Sequence, residues 1–418
     1  MVENKNQSYE FIKEYLVNTT KDQIAWIGDS LAPISCTQVI LNLSTNFRAT
    51  PSHHNQYNVV FIFFRSIFEY YNSWKLILDE SVRLLNQEGY LIIRSQDNEY
   101  GTLFELKSQL FRNNNLGIEL IKQNKNSDGF IISVYKLKKI NIAIYNDKSW
   151  TIGILSNGKK ENIVVDLIFS LVKANHHHLP IEFIIAGPEI QHEKLHGLSI
   201  KYTNSHIQDE LPRIAEKKNN IIKLAEMTNI AIFHDRYIVN DDFFDGFESY
   251  GYNFDFLTIR QFYENGNEFP AYIAFPIKNK RWQSILSIQT HDQILPGSFI
   301  NGGLIILKKG IFAPTPFNNL LLHNEAEDVE LSFYLSEHGI IPRFNGFSSS
   351  TTVGIPFDYT STFIEVSSEN NSEKHKFPLM NKLICKLQYV KIKTLNLIKK
   401  ILLKTGLYEK IKNFIYYR

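Results

Sequence analysis

Apolar runs alternate with helix-type patterns along the first third of the chain, and the alternation predicts a sheet. QIAWIGDS, CTQVILNLS and NVVFIFFRS each contain a strand-like run, and the third is apolar over residues 59–64, as expected of a strand covered on both faces. The stretch SWKLILDESVRLL spaces its apolar residues as a helix does, and EGYLIIRS predicts the next strand, with Gly89 as a turn glycine. Strand, helix and strand in succession favour a parallel, doubly wound sheet.

A second series of the same kind begins near Ile140. WTIGIL predicts a strand, SNG a polar loop, and KKENIVVDLIFSLVKAN a helix with apolar residues at helical spacing. IEFIIAGPE is the next strand, KKNNIIKLAEMTN the next helix, and IAIFHDRY a further strand. The pattern therefore predicts a second α/β unit after the first.

Length and composition divide the chain further. At 418 residues with 44% hydrophobic residues, the chain is too long for one ordinary domain. We predict domains at residues 1–138 and 139–366, followed by a linker and tail at 367–418. The two cysteines, Cys36 and Cys385, have no metal-type spacing and fit a reducing compartment, and the polar start MVENKNQSYEF gives no indication of a secretory signal.

The net charge of +2 conceals a basic C-terminal segment. Residues 379–418 contain ten lysines and arginines and one acid, a net charge of +9, whereas the preceding residues carry −7. Leucines and isoleucines interleave with these lysines, which predicts amphipathic helices interrupted at Gly406. Such a helix suits an anionic membrane surface, where each lysine contributes about 1 kcal/mol. No nucleic-acid module accompanies the segment, so we expect no nucleic-acid partner.

Charged groups follow the strand IAIF without an intervening turn. His234, Asp235 and Arg236 stand directly at its carboxyl end. Polarity at the end of a buried strand is costly unless it is used, so these residues are candidates for a site. The alternative is that Asp235 and Arg236 only form a surface ion pair.

The stretch NVVFIFFRSIFEYYNSWKLILDESVRLLNQEGYLIIR resembles the later half of class I S-adenosylmethionine-dependent methyltransferases. Members of that family hold their cofactor in a glycine-rich turn after the first strand, because only glycine allows close backbone approach. Here that turn reads WIGDSLAPIS, with one glycine and a proline. The departure favours a degenerate, non-catalytic methyltransferase-like domain. The alternative is an active enzyme in which Gly28 and Asp29 touch the cofactor.

The order of elements between residues 150 and 345 resembles the family-2-like glycosyltransferases of GT-A fold. The resemblance implies two consecutive Rossmann-like units, methyltransferase-like and then GT-A, and a nucleotide-sugar donor substrate. It also implies a divalent metal (Mn²⁺ or Mg²⁺) at Asp235, which matches one of the family's two aspartates, whereas Tyr237 occupies the other position. His338 is a candidate for a later metal ligand, and a helix-end histidine is the alternative. Arg236 is then a candidate for direct contact with the diphosphate.

The same resemblance assigns the downstream glycines and acids. Donor-site candidates are Ser156, Asn157, Gly187, Asn301, Gly302 and Gly303. In HNEAEDVELSFYLSEHGI, Glu327 and Asp328 begin a helix whose Val329, Leu331, Phe333 and Leu335 are predicted to face inward. The family's aspartate at this place is the general base, which makes Asp328 the candidate base of an inverting transfer, with Glu327 beside it. The alternative is that these acids only favour a helix N-terminus.

The sequence thus predicts a glycosyltransferase at the cytoplasmic face of a membrane, acting on a glycolipid or a growing surface polysaccharide. The first alternative is a methyltransferase with a carbohydrate-binding second domain. The second is a non-catalytic assembly subunit. The triplet His176 to His178 is predicted to be a surface loop, since consecutive residues cannot all face one ion.

Overall fold

Two mixed β-sheets with flanking helices, and a small third sheet, make up the described part of the chain. The computed structural model describes residues 12–16, 19–28, 32–63, 65–203, 211–274, 287–288, 298–311, 313–323 and 325–356. Asp29 and the predicted linker and tail at 367–418 lie outside these residues. No helix in the described ranges is long and apolar enough to cross a bilayer.

The first sheet has six strands. They are β1 (Ile24–Ile27), β2 (Thr37–Val39), β3 (Tyr57–Ile62), β4 (Leu85–Ser95), β5 (Leu116–Lys125) and β6 (Ile131–Lys139), with helices α1 (Trp74–Leu84) and α2 (Leu103–Phe111). The order is β2-β1-β3-β4-β6-β5; the first four strands are parallel, and β6 is antiparallel to both of its neighbours. The predicted parallel core is therefore present, and the departure is the β5–β6 hairpin, whose short connection allows only antiparallel pairing.

Both helices pack on one face of the first sheet. Ala25 and Ile27 point to the face covered by α1 and α2, whereas Ile24 and Trp26 point to a face covered in part by Ile12. This division follows from the period of two along a strand. The prediction that this sheet is doubly wound is therefore not met by the described residues, because the connections from β1 to β3 contain only short 3-10 turns.

The second sheet has eight strands. They are β7 (Trp150–Leu155), β8 (Ile181–Ala186), β9 (Ile200–Thr203), β10 (Asn229–His234), β11 (Tyr237–Val239), β12 (Phe256–Phe262), β16 (Leu304–Lys308) and β17 (Arg343–Thr352). Its helices are α3 (Glu161–Ala174), α4 (Ile214–Leu224), α5 (Phe243–Tyr250) and α6 (Glu327–Glu337). The third, antiparallel sheet comprises β13 (Tyr272–Ala274), β14 (Ser287–Ile288) and β15 (Ser298–Ile300).

The second sheet is doubly wound around four parallel strands. Its order is β11-β17-β12-β16-β10-β7-β8-β9, in which β10, β7, β8 and β9 are parallel and β16 is antiparallel to β10. Helices α3 and α5 share one core with the sheet, and α4 and α6 share the core on its other face. Helix α3 forms because its apolar residues recur every three or four positions, with Glu161 in the first turn.

A buried ionic cluster joins the two sheets within one compact unit. Glu80 of α1 contacts Arg48 at 3.2 Å, His54 at 2.8 Å and Arg343 of β17 at 3.3 Å. The Glu80 and Arg343 side chains are fully buried. Burial is the largest influence on the pKa of His54 and lowers it to about 4, so the ring is neutral at pH 7 and donates a hydrogen bond to Glu80. Below, this group of four residues is called the Glu80 cluster.

Candidate functional site

The strand order of the second sheet reverses at β7. Strand β7 lies between β8 and β10, and all three run in the same direction, with Leu155 paired to Ala186 on one side and to His234 on the other. The residues that follow these strands therefore lie at one edge of the sheet. In open α/β sheets, ligands bind outside the carboxyl ends of the strands at this kind of reversal.

The loop after β7 is held by its own short hydrogen bonds. The Ser156 hydroxyl accepts from the Gly158 N–H at 3.1 Å, and the Asn157 side chain accepts from the Lys159 N–H at 3.0 Å. Gly158 has a φ of +77°, which only glycine adopts readily. Gly187, after β8, lets the two strand ends meet, because a Cβ there would lie 2.6 Å from the Ser156 carbonyl oxygen. Ser156 and Gly187 thus shape the loop, while Asn157 is exposed at the edge.

Asp235 faces this loop across the reversal. Its carboxylate accepts a hydrogen bond from the backbone of Asn157. Burial raises the pKa of Asp235, and the positive charges of Lys160 and Arg236 partly oppose that rise. Asp235 is partly buried and bonded to the loop, and the charge of the neighbouring Arg236 also acts on it.

A turn between β15 and β16 brings a second group of predicted residues to the same edge. The buried Asn301 accepts from the Gly303 N–H at 3.0 Å and donates to the Pro270 carbonyl at 3.1 Å. The Gly303 carbonyl in turn accepts from the His234 N–H at 2.9 Å, which ties the turn to the end of β10. A Cβ at Gly303 would lie 2.7 Å from the Arg236 Nη2, so glycine makes room for that guanidinium.

Asp328 lies against the neighbouring glycine. Its Oδ2 accepts from the Gly302 N–H at 2.6 Å, and its Oδ1 accepts from the Val329 N–H at 2.9 Å. Burial, and then the nearby carboxylate of Glu327, raise the pKa of Asp328 to about 6, although Lys218 and the two backbone bonds oppose the rise. A carboxylate that releases its proton near pH 6 is suited to accept one from a hydroxyl.

Lys218 holds the two acids in place, and sequence reasoning did not single it out. Its ammonium is fully buried and donates to Glu327 at 2.9 Å and to the Gly302 carbonyl at 2.8 Å. Its neighbour Asn219 donates to the Phe317 carbonyl at 2.8 Å and so fixes the segment before α6. The available signal was the adjacent pair Lys218-Asn219 within the predicted helix KKNNIIKLAEMTN.

His234 is the first of the three residues that form the charged end of β10, and the sequence assigns no specific role to its side chain. Its Nε2 atom is buried and has no hydrogen-bond partner among the described residues. Burial, followed by the positive charges of Lys218 and Arg236, lowers the pKa of His234 well below its usual value. The ring is therefore neutral and has one ring nitrogen available at the sheet edge.

The structure separates His338 from Asp328. It follows the last residue of α6, whereas Asp328 lies in the first turn, about 15 Å away at the rise of an α-helix. Its Nδ1 bonds the Tyr334 carbonyl at 2.8 Å, which matches the helix-end alternative.

The residues present do not match the metal site that the resemblance implies. Tyr237, at the position of the second aspartate, is fully buried, and its hydroxyl bonds the Gln261 side chain at 2.8 Å. No group of three or more His, Cys, Asp and Glu side chains suited to a metal ion occurs in the described ranges. Asp235 is thus left with cationic neighbours instead of a second acidic ligand.

Comparisons with known proteins give low, partial similarities to glycosyltransferase structures. GalNAc-T7, solved with UDP, GalNAc and Mn²⁺, aligns with a TM-score of 0.38 and 10% identity over 53% of this chain and 48% of its own. S. aureus TarS in complex with UDP-GlcNAc gives 0.33 and 13% over 52% and 64%. A Drosophila β1,4-galactosyltransferase 7 variant with manganese, UDP-Gal and xylobiose gives 0.29 and 10% over 47% and 65%. Each alignment therefore spans less than two thirds of the matched chain. No family model and no curated protein matches the sequence.

Proposed function

We propose that the chain transfers a glycosyl group from a nucleotide-sugar donor to an acceptor hydroxyl. The observation that carries this proposal is Asp328, a partly buried carboxylate with a pKa raised to about 6. It is bonded to the Gly302 N–H at 2.6 Å, beside the point where the strand order reverses. Nucleotides bind at such strand reversals in open α/β sheets, and a carboxylate next to that position can accept the proton of an acceptor hydroxyl.

In this proposal Asp328 accepts the proton of the acceptor hydroxyl as the new glycosidic bond forms. Glu327 and Lys218 are positioning residues, since their 2.9 Å ion pair fixes the start of α6 and the Gly302 carbonyl. Asn157 and Arg236 lie where the donor diphosphate would sit, and Asn301, Gly302 and Gly303 form the wall next to the base. Attack from the face opposite the diphosphate makes the transfer inverting.

The test is an assay of the full chain against a library of nucleotide sugars, reading hydrolysis and transfer to simple glycoside acceptors. Turnover of one donor, with inversion of the anomeric configuration read by NMR, supports the proposal. A parallel thermal-shift panel separates the alternatives. Stabilisation by S-adenosylhomocysteine alone favours a methyltransferase, and stabilisation by neither that compound nor a nucleoside diphosphate favours an assembly subunit.

For the acceptor we propose a glycolipid or a growing surface polysaccharide at the inner face of the cell membrane. The support is the sequence of residues 379–418, with a net charge of +9 and interleaved apolar residues. Removal of these residues should abolish sedimentation with anionic liposomes and leave turnover of a soluble acceptor nearly unchanged. Equal binding to neutral and anionic vesicles would contradict this proposal.

We propose that the first domain, residues 1–138, supports the second, residues 139–366, and does not transfer methyl groups. The support is the single glycine, Gly28, in the turn after β1, together with the Glu80 cluster, in which α1 and the segment before β3 contact Arg343 of β17. Calorimetry with S-adenosylmethionine should show no binding. Low-micromolar binding that is lost in Gly28→Trp would refute a non-catalytic role.

A further inference from the structure

Cationic side chains converge on the edge where β7 and β10 end. Lys160 directly precedes α3 at the end of the β7 loop, and Arg236 follows β10 by two residues. The positive charges of both residues act on Asp235 and on His234. Lys218 and His323 also act on His234. Lys218 is buried between Glu327 and Gly302, whereas Lys160 and Arg236 directly follow the ends of the β7 loop and of β10 and are the cations that we consider for a ligand.

We propose that these side chains, and not a divalent metal, neutralise the diphosphate of the donor. The inference rests on the proposed glycosyl transfer and concerns the same sheet edge. A diphosphate leaving group develops negative charge, and either a metal or fixed cations can stabilise it. The side chains present at this edge favour fixed cations over a metal in this chain.

Among the residues that the structure describes, the acidic ligands needed for a metal are not assembled at this edge. Asp235 is a single carboxylate, and it already accepts a hydrogen bond from the Asn157 backbone. The position that would supply a second carboxylate holds Tyr237, whose hydroxyl bonds Gln261 in the core at 2.8 Å. A hard divalent cation prefers several oxygen ligands, whereas here Asp235 is opposed by Lys160 and Arg236.

The same edge offers the features that an anion requires. Arg236 has room beside Gly303, and its guanidinium lies 6.0 Å from the Phe269 ring centroid, an aromatic neighbour that helps to orient it. The fourteen-residue helix α3 begins at this edge, and no side chain caps its N-terminus. Helix N-termini favour anions, and a planar guanidinium pairs well with phosphate oxygens.

His234 supplies the independent observation that points to a ligand. Its buried Nε2 has no hydrogen-bond partner in the described ranges, although its backbone N–H is bonded to Gly303. A buried polar atom without a partner is costly, and a phosphate oxygen at this edge would accept a hydrogen bond from the neutral ring. Asp235 then acts as a positioning residue that holds the Asn157 loop.

The first experiment is calorimetric titration of the full chain with UDP, GDP, CDP and dTDP, in EDTA and then with Mn²⁺ or Mg²⁺. We expect one nucleoside diphosphate to bind in EDTA with an affinity within about threefold of that measured with metal. Binding that requires the metal would overturn this inference and leave glycosyl transfer intact. Absence of binding under every condition would overturn the proposed function as well.

Substitutions give a second, opposing test. Asp235→Asn keeps an acceptor for the Asn157 N–H and removes a negative charge, so we expect equal or tighter binding of the diphosphate in EDTA. A metal site built on Asp235 predicts loss of binding instead. Arg236→Gln and Lys160→Ala should each weaken binding by about tenfold, since each removes a charge from the anion. Lys173→Ala, at the opposite end of α3 and paired with Asp241, is the matched control and should bind normally. Normal binding by both Arg236→Gln and Lys160→Ala would contradict the inference.

Discussion

Asp328 owes its properties to Gly302 and Lys218, which lie far from it in sequence, and to Glu327, which precedes it in α6. Gly302 donates to one oxygen at 2.6 Å, Glu327 raises the pKa by charge repulsion, and Lys218 limits that rise. Two acids that share one lysine take different roles: Glu327 forms the ion pair, and Asp328 keeps its carboxylate available for a proton.

Asp328→Asn removes the base and keeps the shape of the side chain. We expect the turnover number to fall by about 10²–10⁴ while the affinity for a nucleoside diphosphate changes little. Steady-state kinetics and calorimetry give the two values. Asp166→Asn, an exposed residue of α3, is the control and should turn over normally. Nearly normal turnover of Asp328→Asn would leave only the helix N-terminus explanation.

The pH profile of turnover should report the same group. Because the folded-state pKa of Asp328 is raised to about 6 from 3.8, the side chain is protonated and inactive as a base below that value. Turnover should therefore rise with pH through about 6 and then level off. Over the same window, stability should fall as pH rises, since the folded state releases a proton that the unfolded state has already lost. An acid limb near 4 would contradict the assignment of the base.

At the scale of elements, the turn between β15 and β16 is the piece that joins both halves of the site. Gly302 contacts the start of α6, and Gly303 contacts the end of β10. Neither contact leaves space for a side chain. A Cβ at Gly302 would lie 2.8 Å from the Asp328 Cβ and 3.0 Å from the Glu327 Oε1.

Gly302→Ala should displace Asp328 without unfolding the sheet. Since small displacements of a catalytic group can cost about 10²-fold in rate, we expect a loss of that order in turnover. Circular dichroism and kinetics together test it. Gly117→Ala is the control, because the nearest atom to its Cβ would be 3.6 Å away, and it should behave as the unaltered chain. Full activity of Gly302→Ala would show that the turn tolerates a side chain.

At the scale of the whole molecule, the Glu80 cluster links the first domain to β17 of the second sheet. Its residues come from the segment before β3, from α1 and from β17, so neither sheet satisfies these charges alone. Such a cluster is a weak source of net stability, yet removing one member leaves uncompensated buried charge. The cluster therefore connects α1 and the segment before β3 to β17 of the second sheet.

Glu80→Gln should destabilise the chain by about 3–5 kcal/mol, because Arg48 and Arg343 lose a shared buried carboxylate. The denaturant midpoint, followed by tryptophan fluorescence, measures this loss. Glu88→Gln disrupts an exposed pair with Lys138 and should change the midpoint little. Equal midpoints for the two variants would contradict a role of the cluster in joining the sheets.

Local sequence patterns predicted helices and strands well where the buried residues recur with the period of a helix or of a strand. Helix α3 and strands β7, β8 and β10 lie where the apolar spacing indicated. The pattern was less reliable in α6, whose predicted inward residues included Phe333, which is only partly buried. Alternate residues of a helix cannot share one face: Leu331 and Leu335, four positions apart, share one cluster, and Val329 lies in another. Gly89, predicted as a turn glycine, lies inside β4, where a Cβ would be 2.8 Å from the Asn58 carbonyl.

The sequence by itself determined the two α/β series, the charged end of β10 and the acidic start of α6, because each depends on residues adjacent along the chain. Only the tertiary structure decided what those residues do. Lys218 has no assigned role in the sequence, and it acquires one only because Glu327, 109 positions away, pairs with it in the fold. Tyr237 is a candidate metal position until its hydroxyl is found in the core. Burial and charge pairing arise from contacts between distant segments, and through burial and Lys218 these contacts influence the pKa of Asp328.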